Sequence, residues 1–207
     1  MSIQRAYDNW SATYDSDNNL TRDLDQVVTR DTLVKLKSKS VIEIGCGTGK
    51  NTVLLSQMCQ KVHAIDFSEG MIQKAKEKVQ SDNINFSVAD ITKPWDFVGT
   101  SVDLVTCNLV LEHIHDLSFI FSEVFRSLAD GGYFFISELH PFKQYQGTKA
   151  NFQSHQKTIE IPAFTHHASQ FFNVATNNGF TLKEFNEWWH EKDENRPPRL
   201  ISFLFRK

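Results

Sequence analysis

Residues Val41 to Asp66, VIEIGCGTGKNTVLLSQMCQKVHAID, decide the fold of this chain. A short apolar run leads into three closely spaced glycines, a segment of helical character, and a second apolar run that ends in an acid. Glycines let the backbone approach a ligand where any Cβ would clash, and an acid after the second strand can accept hydrogen bonds from both hydroxyls of a ribose. This order is typical of a nucleotide-binding βαβ unit, in which the acid follows the first glycine by about 20 residues.

The spacing of the glycines separates two classes of ligand. A dinucleotide-binding turn reads G-x-G-x-x-G, whereas this chain reads E-x-G-x-G-x-G from Glu43. The run resembles the first motif of class I methyltransferases, which bind S-adenosylmethionine (SAM). An NAD-dependent oxidoreductase and a purely structural glycine turn stay open as alternatives, because the acid would serve the ribose of either ligand. The resemblance implies cofactor contacts from residues of this stretch: Glu43, Gly45, Cys46, Gly47, Gly49 and Asp66.

Composition limits the classes of protein to which the chain can belong. Its 207 residues fit one domain, and a hydrophobic content of 40% suffices for a core. A net charge of −3 indicates no basic surface for nucleic acid. No apolar run approaches the roughly 18 residues of a membrane span, and the N-terminal MSIQRAYDNW has no apolar signal core. The three cysteines form no metal-type pair, so we expect a reduced, cytoplasmic protein, monomeric or homodimeric.

Residues 1–37 are predicted to cover the glycine-containing core. Tyr7, Trp10 and Tyr14 follow one another at spacings of three and four, so they share one face of a helix. The W-x-x-x-Y-D run that starts at Trp10 resembles the N-terminal cover of ubiquinone-biosynthesis-type methyltransferases, which folds over the methionine part of SAM. The resemblance implies a contact from Tyr14, although simple packing also explains this face. A second helix is predicted over Leu20–Lys37, with its inward residues Leu24, Val27, Val28, Val34 and Leu36.

Three further stretches follow predicted strands and suit a SAM site. Phe67 and Met71 are placed to flank an adenine ring, although ordinary core packing also accounts for them. Asp90–Ile91 follows the strand-like run NINFSV. In the family pattern the acid there accepts a hydrogen bond from the adenine amino group, and the backbone of the next residue contacts the ring edge. VDLVTCN and LEHIHD also match the family, which implies that Asn108 or Leu109 meets the SAM amino group.

Five predicted strands alternate with helices from Val41 to the run YFFISEL. This alternation predicts a parallel, doubly wound α/β sheet with helices on both faces. Phe180–Trp189 and Leu200–Phe205 are predicted as a closing antiparallel hairpin, which makes seven strands in the Rossmann-like class I methyltransferase arrangement. Because ligands gather beyond the carboxyl ends of parallel strands, residues near those ends are expected to converge: Glu43, Asp66, Asp90, Asn108 and His140.

The alternation of helix and strand breaks between His140 and Thr165, where the sequence is aromatic, polar and irregular. Loops of this length inside a compact domain are usually functional lids or disordered segments. The aromatic content of this one argues against disorder. We interpret residues 140–165 as a substrate-cap insertion within a single domain that spans residues 1–207.

Three histidines are candidates for a general base, because an unperturbed pKa of about 6.5 suits that role at neutral pH. His140 is the first candidate, since it follows the fifth strand at the ligand-binding edge; His113 is the second and His166 the third. A structural role is the alternative for each. No metal is expected, because His155 and His167 add no H-x-x-x-H or H-E-x-x-H spacing to this set.

The resemblance covers about residues 5–140 and implies methyl transfer from SAM, without naming the acceptor. The Asn/Asp-Pro-Pro-aromatic signature of nucleic-acid amino-methyltransferases is absent, because LVL follows Asn108. The aromatic cap favours a small acceptor, aromatic or carboxylate-bearing, that is methylated on oxygen or carbon. A protein or nucleic-acid methyltransferase and a non-catalytic SAM-binding module remain as alternatives.

Overall fold

A twisted sheet forms the centre of the computed structural model, which describes residues 2–154 and 157–207. The strands of this sheet are β1 Ser40–Ile44, β2 Lys61–Asp66, β3 Ile84–Val88, β4 Val102–Asn108, β5 Leu128–Leu139, β8 Thr181–Trp188 and β9 Leu200–Arg206. A separate antiparallel hairpin pairs β6 Asn151–Ser154 with β7 Lys157–Glu160. The helices are α1 Ile3–Trp10, α2 Leu20–Leu33, α3 Lys50–Met58, α4 Glu69–Lys78, α5 Leu117–Ser127, α6 Pro141–Tyr145 and α7 Ala168–Asn177, with short 3₁₀ turns at Leu111–His113 and Glu191–Asp193.

The order of strands across the main sheet is β3-β2-β1-β4-β5-β9-β8. Strands β1 to β5 are parallel, whereas β9 pairs antiparallel with both β5 and β8 and therefore lies between them. The predicted seven-stranded, mostly parallel sheet with a closing antiparallel pair is confirmed. The chain leaves β3 at one edge and returns on the other side of β1 as β4, and this reversal places a crevice beyond the carboxyl ends of β1 and β4.

Apolar side chains of the sheet alternate between two buried layers, because successive residues of a strand point to opposite faces. Ile42 and Ile44 belong to the layer that contains Phe121 of α5. Val41 belongs to the opposite layer, together with Leu24 of α2. The sheet is thus covered on both faces, which fixes the edge of the sheet as the place where a ligand can bind.

The inward face of α2 is more polar than the apolar pattern predicted. Of the predicted inward residues, Leu24 and Val28 are buried, whereas Val27 and Val34 are exposed and the helix already ends at Leu33. Polar residues take the remaining inward positions: Asp25, Thr29 and Thr32. The prediction was wrong at these positions because buried polar groups are stable when they have hydrogen-bond partners, and a pattern of apolar residues cannot detect those partners.

The segment 140–165 is less irregular than predicted, since it contains α6 and the β6–β7 hairpin. Ile161 follows the hairpin and is fully buried in a small apolar cluster with Ala6 and Trp10 of α1. The predicted cap therefore packs directly against the N-terminal segment.

Phe121 provides a test of the core. Its ring centroid lies 5.2 Å from that of Phe134 and 6.1 Å from that of Phe205, and its side chain is fully buried. Phe121→Ala is expected to lower the free energy of unfolding by about 3–5 kcal/mol through lost burial and a cavity. Phe119→Ala on the same helix is the matched control, because Phe119 is exposed and should change it by about 0.5 kcal/mol or less. Urea denaturation of both variants measures the difference, and equal losses would contradict this account of the core.

Candidate active site

The turn between β1 and α3 requires its glycines. Gly45, Gly47 and Gly49 have φ angles of 67°, 54° and 83°, which strain any residue with a Cβ. At Gly45 a Cβ would lie 2.2 Å from the Val110 Cγ2, so only glycine lets the segment after β4 pack on the turn. At Gly47 a Cβ would meet no atom within 4 Å, which leaves open space above the turn.

Asp66, the last residue of β2, connects the glycine turn to α4. Its Oδ2 accepts a hydrogen bond from the backbone N–H of Gly47 and its Oδ1 accepts one from that of Ser68, both at 2.9 Å. Burial raises the pKa of Asp66 to about 6, and the two backbone hydrogen bonds oppose that rise. Each carboxylate oxygen has a second lone pair, so the same group can hold the turn and accept hydrogen bonds from a ligand.

A cavity of about 270 Å³ opens beside the turn at the carboxyl ends of β1, β2 and β4; it is called the first cavity below. Most of the predicted cofactor-binding residues line it: Tyr14, Gly45, Gly47, Asp66, Phe67, Met71, Asp90, Ile91, Asn108 and Leu109. The sequence therefore located residues from the N-terminal segment and from four strand ends that the fold brings together.

Three predicted cofactor-binding residues do not line the first cavity. Glu43 is buried and accepts a hydrogen bond from the Thr52 hydroxyl at 2.6 Å. Cys46 is buried, and burial raises the pKa of its thiol. Gly49 caps α3, where a Cβ would lie 3.0 Å from the Val79 Cγ2. These residues support the turn from behind rather than from the ligand side.

The remaining lining residues were not predicted as cofactor contacts: Ile3, Tyr7, Ala89, Thr92, Val110, His113 and Ile114. Tyr7 carried a signal, since it shares the predicted aromatic face with Tyr14, and His113 was predicted for a catalytic role. The apolar residues carried none, because their pattern is equally typical of ordinary core positions.

A second cavity, of about 520 Å³, lies beside the first, and Tyr7, Tyr14 and Leu109 line both. Leu109 has a φ of 56°, a left-handed conformation that costs a non-glycine residue about 1–2 kcal/mol. Its N–H donates to the Ser137 carbonyl oxygen at 2.9 Å, which helps to hold it there. Backbone strain of this kind concentrates at functional sites, and here it occurs where the two cavities meet.

Carboxylates attach the N-terminal segment to the sheet edge. The Asp8 Oδ1 accepts hydrogen bonds from the Ser68 hydroxyl at 2.6 Å and from the Gly70 N–H at 3.3 Å, at the positive N-terminal end of α4. The Asp15 Oδ1 accepts one from the Thr48 hydroxyl at 2.7 Å. Through these contacts α1 and the turn after it cover the first cavity.

His113 is the predicted catalytic histidine that lines the first cavity. Its Nδ1 lies 2.9 Å from the Pro162 carbonyl oxygen, which only accepts, so Nδ1 carries a proton. In the neutral ring Nε2 then holds the lone pair, and it accepts a hydrogen bond from the Tyr7 hydroxyl at 2.8 Å. The tautomer of His113 is thereby fixed with its basic nitrogen on Tyr7.

His140 and His166 lie outside the lining of both cavities. The His140 Nε2 donates to the Glu187 carboxylate at 2.8 Å, and its Nδ1 accepts from the Phe142 N–H at the start of α6. The His166 Nε2 donates to the Ile114 carbonyl oxygen at 2.7 Å. Both rings therefore link segments of the fold, and His113 is the one of the three predicted candidates that lines the first cavity.

Buried carboxyl groups surround the strand ends. Burial raises the pKa of both Glu43 and Glu138 to about 8, and it also raises that of Asp25. The Glu138 Oε1 accepts hydrogen bonds from the N–H groups of Val110 and Leu111, while its Oε2 has no partner within residues 2–154 and 157–207. Carboxyl groups in such surroundings ionise more readily when a cation binds nearby, so this region suits a positively charged ligand.

Neither a metal cluster nor a membrane-spanning helix occurs in the described part of the chain. No group of three or more His, Cys, Asp or Glu side chains there is arranged to hold a metal ion. His155 lies outside the described residues. No helix of the described chain is long and apolar enough to cross a membrane.

Comparisons with known proteins agree with this geometry. Residues 42–136 match the family model described as a methyltransferase domain. The chain is 30% identical over 129 residues to malonyl-[acyl-carrier protein] O-methyltransferase 2 of Coxiella burnetii, covering 61% of this chain and 52% of that protein. It is 32% identical over 149 residues to the malonyl-[acyl-carrier protein] O-methyltransferase of Methylovorus sp. strain MP688, covering 67% of this chain and 50% of that one. The crystal structure of N-methyltransferase NodS from Bradyrhizobium japonicum WM9 with S-adenosyl-L-homocysteine superposes with a TM-score of 0.76 at 18% identity, covering all of this chain and 99% of NodS.

Fold, glycine turn and family model together define a class of protein. Residues 42–136 match the methyltransferase-domain model, and the strand order and glycine turn agree with the class I SAM-dependent methyltransferases. The chain spans about half the length of the two curated relatives it matches.

The buried carboxyl groups predict how stability depends on pH. In the unfolded chain Glu43 and Glu138 titrate near 4.5, whereas folding raises both pKa values to about 8. Between these limits the folded protein binds protons that the unfolded chain has lost, so stability falls as pH rises. Urea denaturation of the ligand-free protein should show this fall between pH 7 and pH 8.5. Glu138→Gln should flatten the slope and the exposed Glu77→Gln should not; an unchanged slope in Glu138→Gln would contradict the burial argument.

Asp8 tests the cover over the first cavity. Asp8→Ala removes two charge-assisted hydrogen bonds at the start of α4, each worth about 1–3 kcal/mol. We expect amide exchange of residues 3–10 to accelerate and the dissociation constant of S-adenosylhomocysteine to rise about tenfold. The control is Asp31→Ala, whose exposed carboxylate pairs with Arg30. Unchanged exchange and affinity in Asp8→Ala would show that these bonds do not hold the cover.

Proposed function

We propose that this protein transfers a methyl group from SAM to a small-molecule acceptor. The cofactor occupies the first cavity and the acceptor occupies the second. The observation that carries the proposal is the meeting of the two cavities at Tyr7, Tyr14 and Leu109, next to the glycine turn. Methyl transfer requires the donor and acceptor to face each other across a short gap, and two adjoining cavities provide that arrangement.

The nucleoside end of SAM fits the strand ends. Asp66 accepts hydrogen bonds from the ribose hydroxyls with its remaining lone pairs. The Asp90 Oδ1 already accepts from Thr92, so its other oxygen serves the adenine amino group. Phe67 and Met71 line the same cavity and supply apolar surface for the ring.

The methionine end of SAM fits the polar side of the same cavity. The Asn108 Nδ2 donates to the Asp25 Oδ1 and to the Thr29 hydroxyl, both at 2.8 Å. With both amide hydrogens in use, the Asn108 Oδ1 is the acceptor end and suits the ammonium group of the cofactor. The Asp25 carboxyl group behind it is buried, and it would ionise more readily beside the net positive charge of SAM than beside the neutral-sulfur product.

The reaction is an in-line displacement. The acceptor forms a bond to the methyl carbon as the carbon–sulfur bond breaks, and the bonding pair leaves with sulfur, which loses its positive charge. An acceptor hydroxyl must also lose its proton. His113 Nε2 takes that proton through Tyr7: the phenol gives its proton to His113 and receives the one released by the acceptor. A carboxylate acceptor needs no such step, and alignment alone then supplies the catalysis.

Binding and turnover test the function separately. Calorimetry should show that SAM and S-adenosylhomocysteine bind and that NAD does not. Incubation with methyl-labelled SAM and a library of small metabolites should then show a product heavier by one methyl group. Tight NAD binding without SAM binding would overturn the class of cofactor. Label found only on proteins or nucleic acids would replace the acceptor class, and binding without any turnover would indicate a SAM-binding module.

His113 and His140 form a matched pair for the chemistry. With a hydroxyl acceptor, His113→Ala should lower kcat by roughly 10²–10⁴-fold while the SAM dissociation constant changes little, because a base acts on the transition state. His140→Ala should instead lower the melting temperature and spare kcat, since its ring links α6 to β8. Steady-state kinetics and thermal melting distinguish the two outcomes. A full kcat in His113→Ala would remove the base from the mechanism.

A further inference from the structure

We propose that the acceptor carries a carboxylate or phosphate group and that Arg22 binds this group in the second cavity. The inference rests on the proposed function, because it concerns the molecule that occupies the second cavity. The anionic group is then the chemical feature by which the protein selects among small acceptors.

Arg22 is a buried cation without an ion pair to any described residue. Its side chain lines the second cavity and the residue is only 8% exposed. No carboxylate in the described ranges lies within ion-pair distance of it. Two of its five guanidinium N–H donors pair with the carbonyl oxygens of Tyr14 and Asp17, and Nε has no partner among the described residues. The rings of Trp10 and Tyr14, 5.6 and 4.0 Å from the guanidinium carbon, offset part of the cost of burying this charge. An anionic ligand would offset more of that cost.

The other cations of the second cavity are already paired. The Arg199 Nε donates a hydrogen bond to the Asp193 carboxylate at 2.7 Å, and the Lys149 Nζ lies 3.5 Å from the Glu160 carboxylate. The lining also contains two carboxylates, of Asp17 and Glu112, and each of them has a donor within the protein. Arg22 is therefore the charged group of this lining that has the greatest need of a partner.

The start of α2 adds to the attraction for an anion. Asn19, Leu20 and Thr21 line the second cavity, and they form the N-terminal end of a 14-residue helix. The N-terminal end of a helix carries a partial positive charge that favours a nearby anion. Arg22 lies in the first turn of this helix, so the helix end and the guanidinium act on the same region.

Arg22 also links acceptor binding to the cofactor side. Its guanidinium carbon lies 4.0 Å from the centroid of the Tyr14 ring, which lines both cavities. A guanidinium over a ring presents its N–H groups at its edge. The Nη1 and Nη2 hydrogens that the Tyr14 and Asp17 carbonyl oxygens leave unused can therefore donate to a carboxylate or phosphate. An acceptor whose anionic group binds Arg22 is therefore anchored beside Tyr14, at the place where the two cavities meet.

A purely structural role is the competing account, since Arg22 holds the turn after α1 through the carbonyl oxygens of Tyr14 and Asp17. Matched probes separate the two. Benzoate, phenyl phosphate and the uncharged benzyl alcohol are titrated against the full chain loaded with S-adenosylhomocysteine. At least one anionic probe should bind the unmodified protein at least tenfold more tightly than benzyl alcohol, and the preferred anion distinguishes carboxylate from phosphate. Equal binding of all three probes would overturn the proposal.

Variants then assign the preference to Arg22. Arg22→Met should abolish the preference for the anion, and Arg22→Lys should retain part of it. Lys149→Met is the matched control, because Lys149 lines the same cavity but is half-exposed and paired, and it should keep the preference. A preference that survives in Arg22→Met, or one lost in Lys149→Met alone, would contradict the role of Arg22.

A measurement on the unmodified protein covers the case in which Arg22→Met does not fold. The ¹H–¹⁵Nε resonance of Arg22 should shift on addition of the preferred anion and stay fixed with benzyl alcohol. A resonance that responds to neither probe would overturn the proposal. Failure of S-adenosylhomocysteine to bind would overturn the proposed function instead, and that result is visible before any probe is added.

Discussion

The carboxylate of Asp66 is the contact on which the site depends. It accepts the N–H of Gly47 on one side and that of Ser68 on the other, so one buried group fixes the glycine turn and the start of α4 relative to each other. Ser68 in turn donates its hydroxyl to Asp8, which brings the N-terminal helix over the cavity. The glycine turn on one side of the first cavity and α1 on the other are thus joined through one short chain of hydrogen bonds. Burial strengthens these hydrogen bonds, because water competes less for them.

A second constraint is the buried carboxyl group of Asp25, on the opposite side of the glycine turn. The face of α2 that meets the sheet carries Asp25, whose two oxygens accept from Asn51 and Asn108. Replacing buried charged groups by well-packed apolar residues is often neutral or stabilising in proteins, so these contacts are not explained by stability alone. Their value here is positional, because they orient Asn108 at the end of β4. The same helix begins at the second cavity. The buried side of α2 therefore positions Asn108 in the first cavity, and the N-terminal end of α2 lines the second.

Sequence patterns located the sheet and most of the first cavity, because strand periodicity, glycine spacing and strand-end acids are local signals. They do not reveal contacts that join distant segments of the chain. His140 has the expected position after β5, yet its ring nitrogen Nε2 donates a hydrogen bond to Glu187, which lies 47 residues away in the sequence. The hydrogen bonds of His113 to Tyr7 and Pro162 decide which of its ring nitrogens carries the lone pair. No spacing in the sequence connects these two residues to His113. Arg22 looks like a surface residue in sequence, and only the packing of Tyr14 against it shows that it is buried.

The position of β9 between β5 and β8 has a consequence for biosynthesis. During translation β5 and β8 emerge from the ribosome before residues 200–206 do, and until then each has an edge without its native neighbour. Unpaired strand edges are sites at which other chains can add. The nascent chain therefore passes through a period of exposure to aggregation that ends when β9 inserts, and a chaperone that shields these two edges would act during that interval.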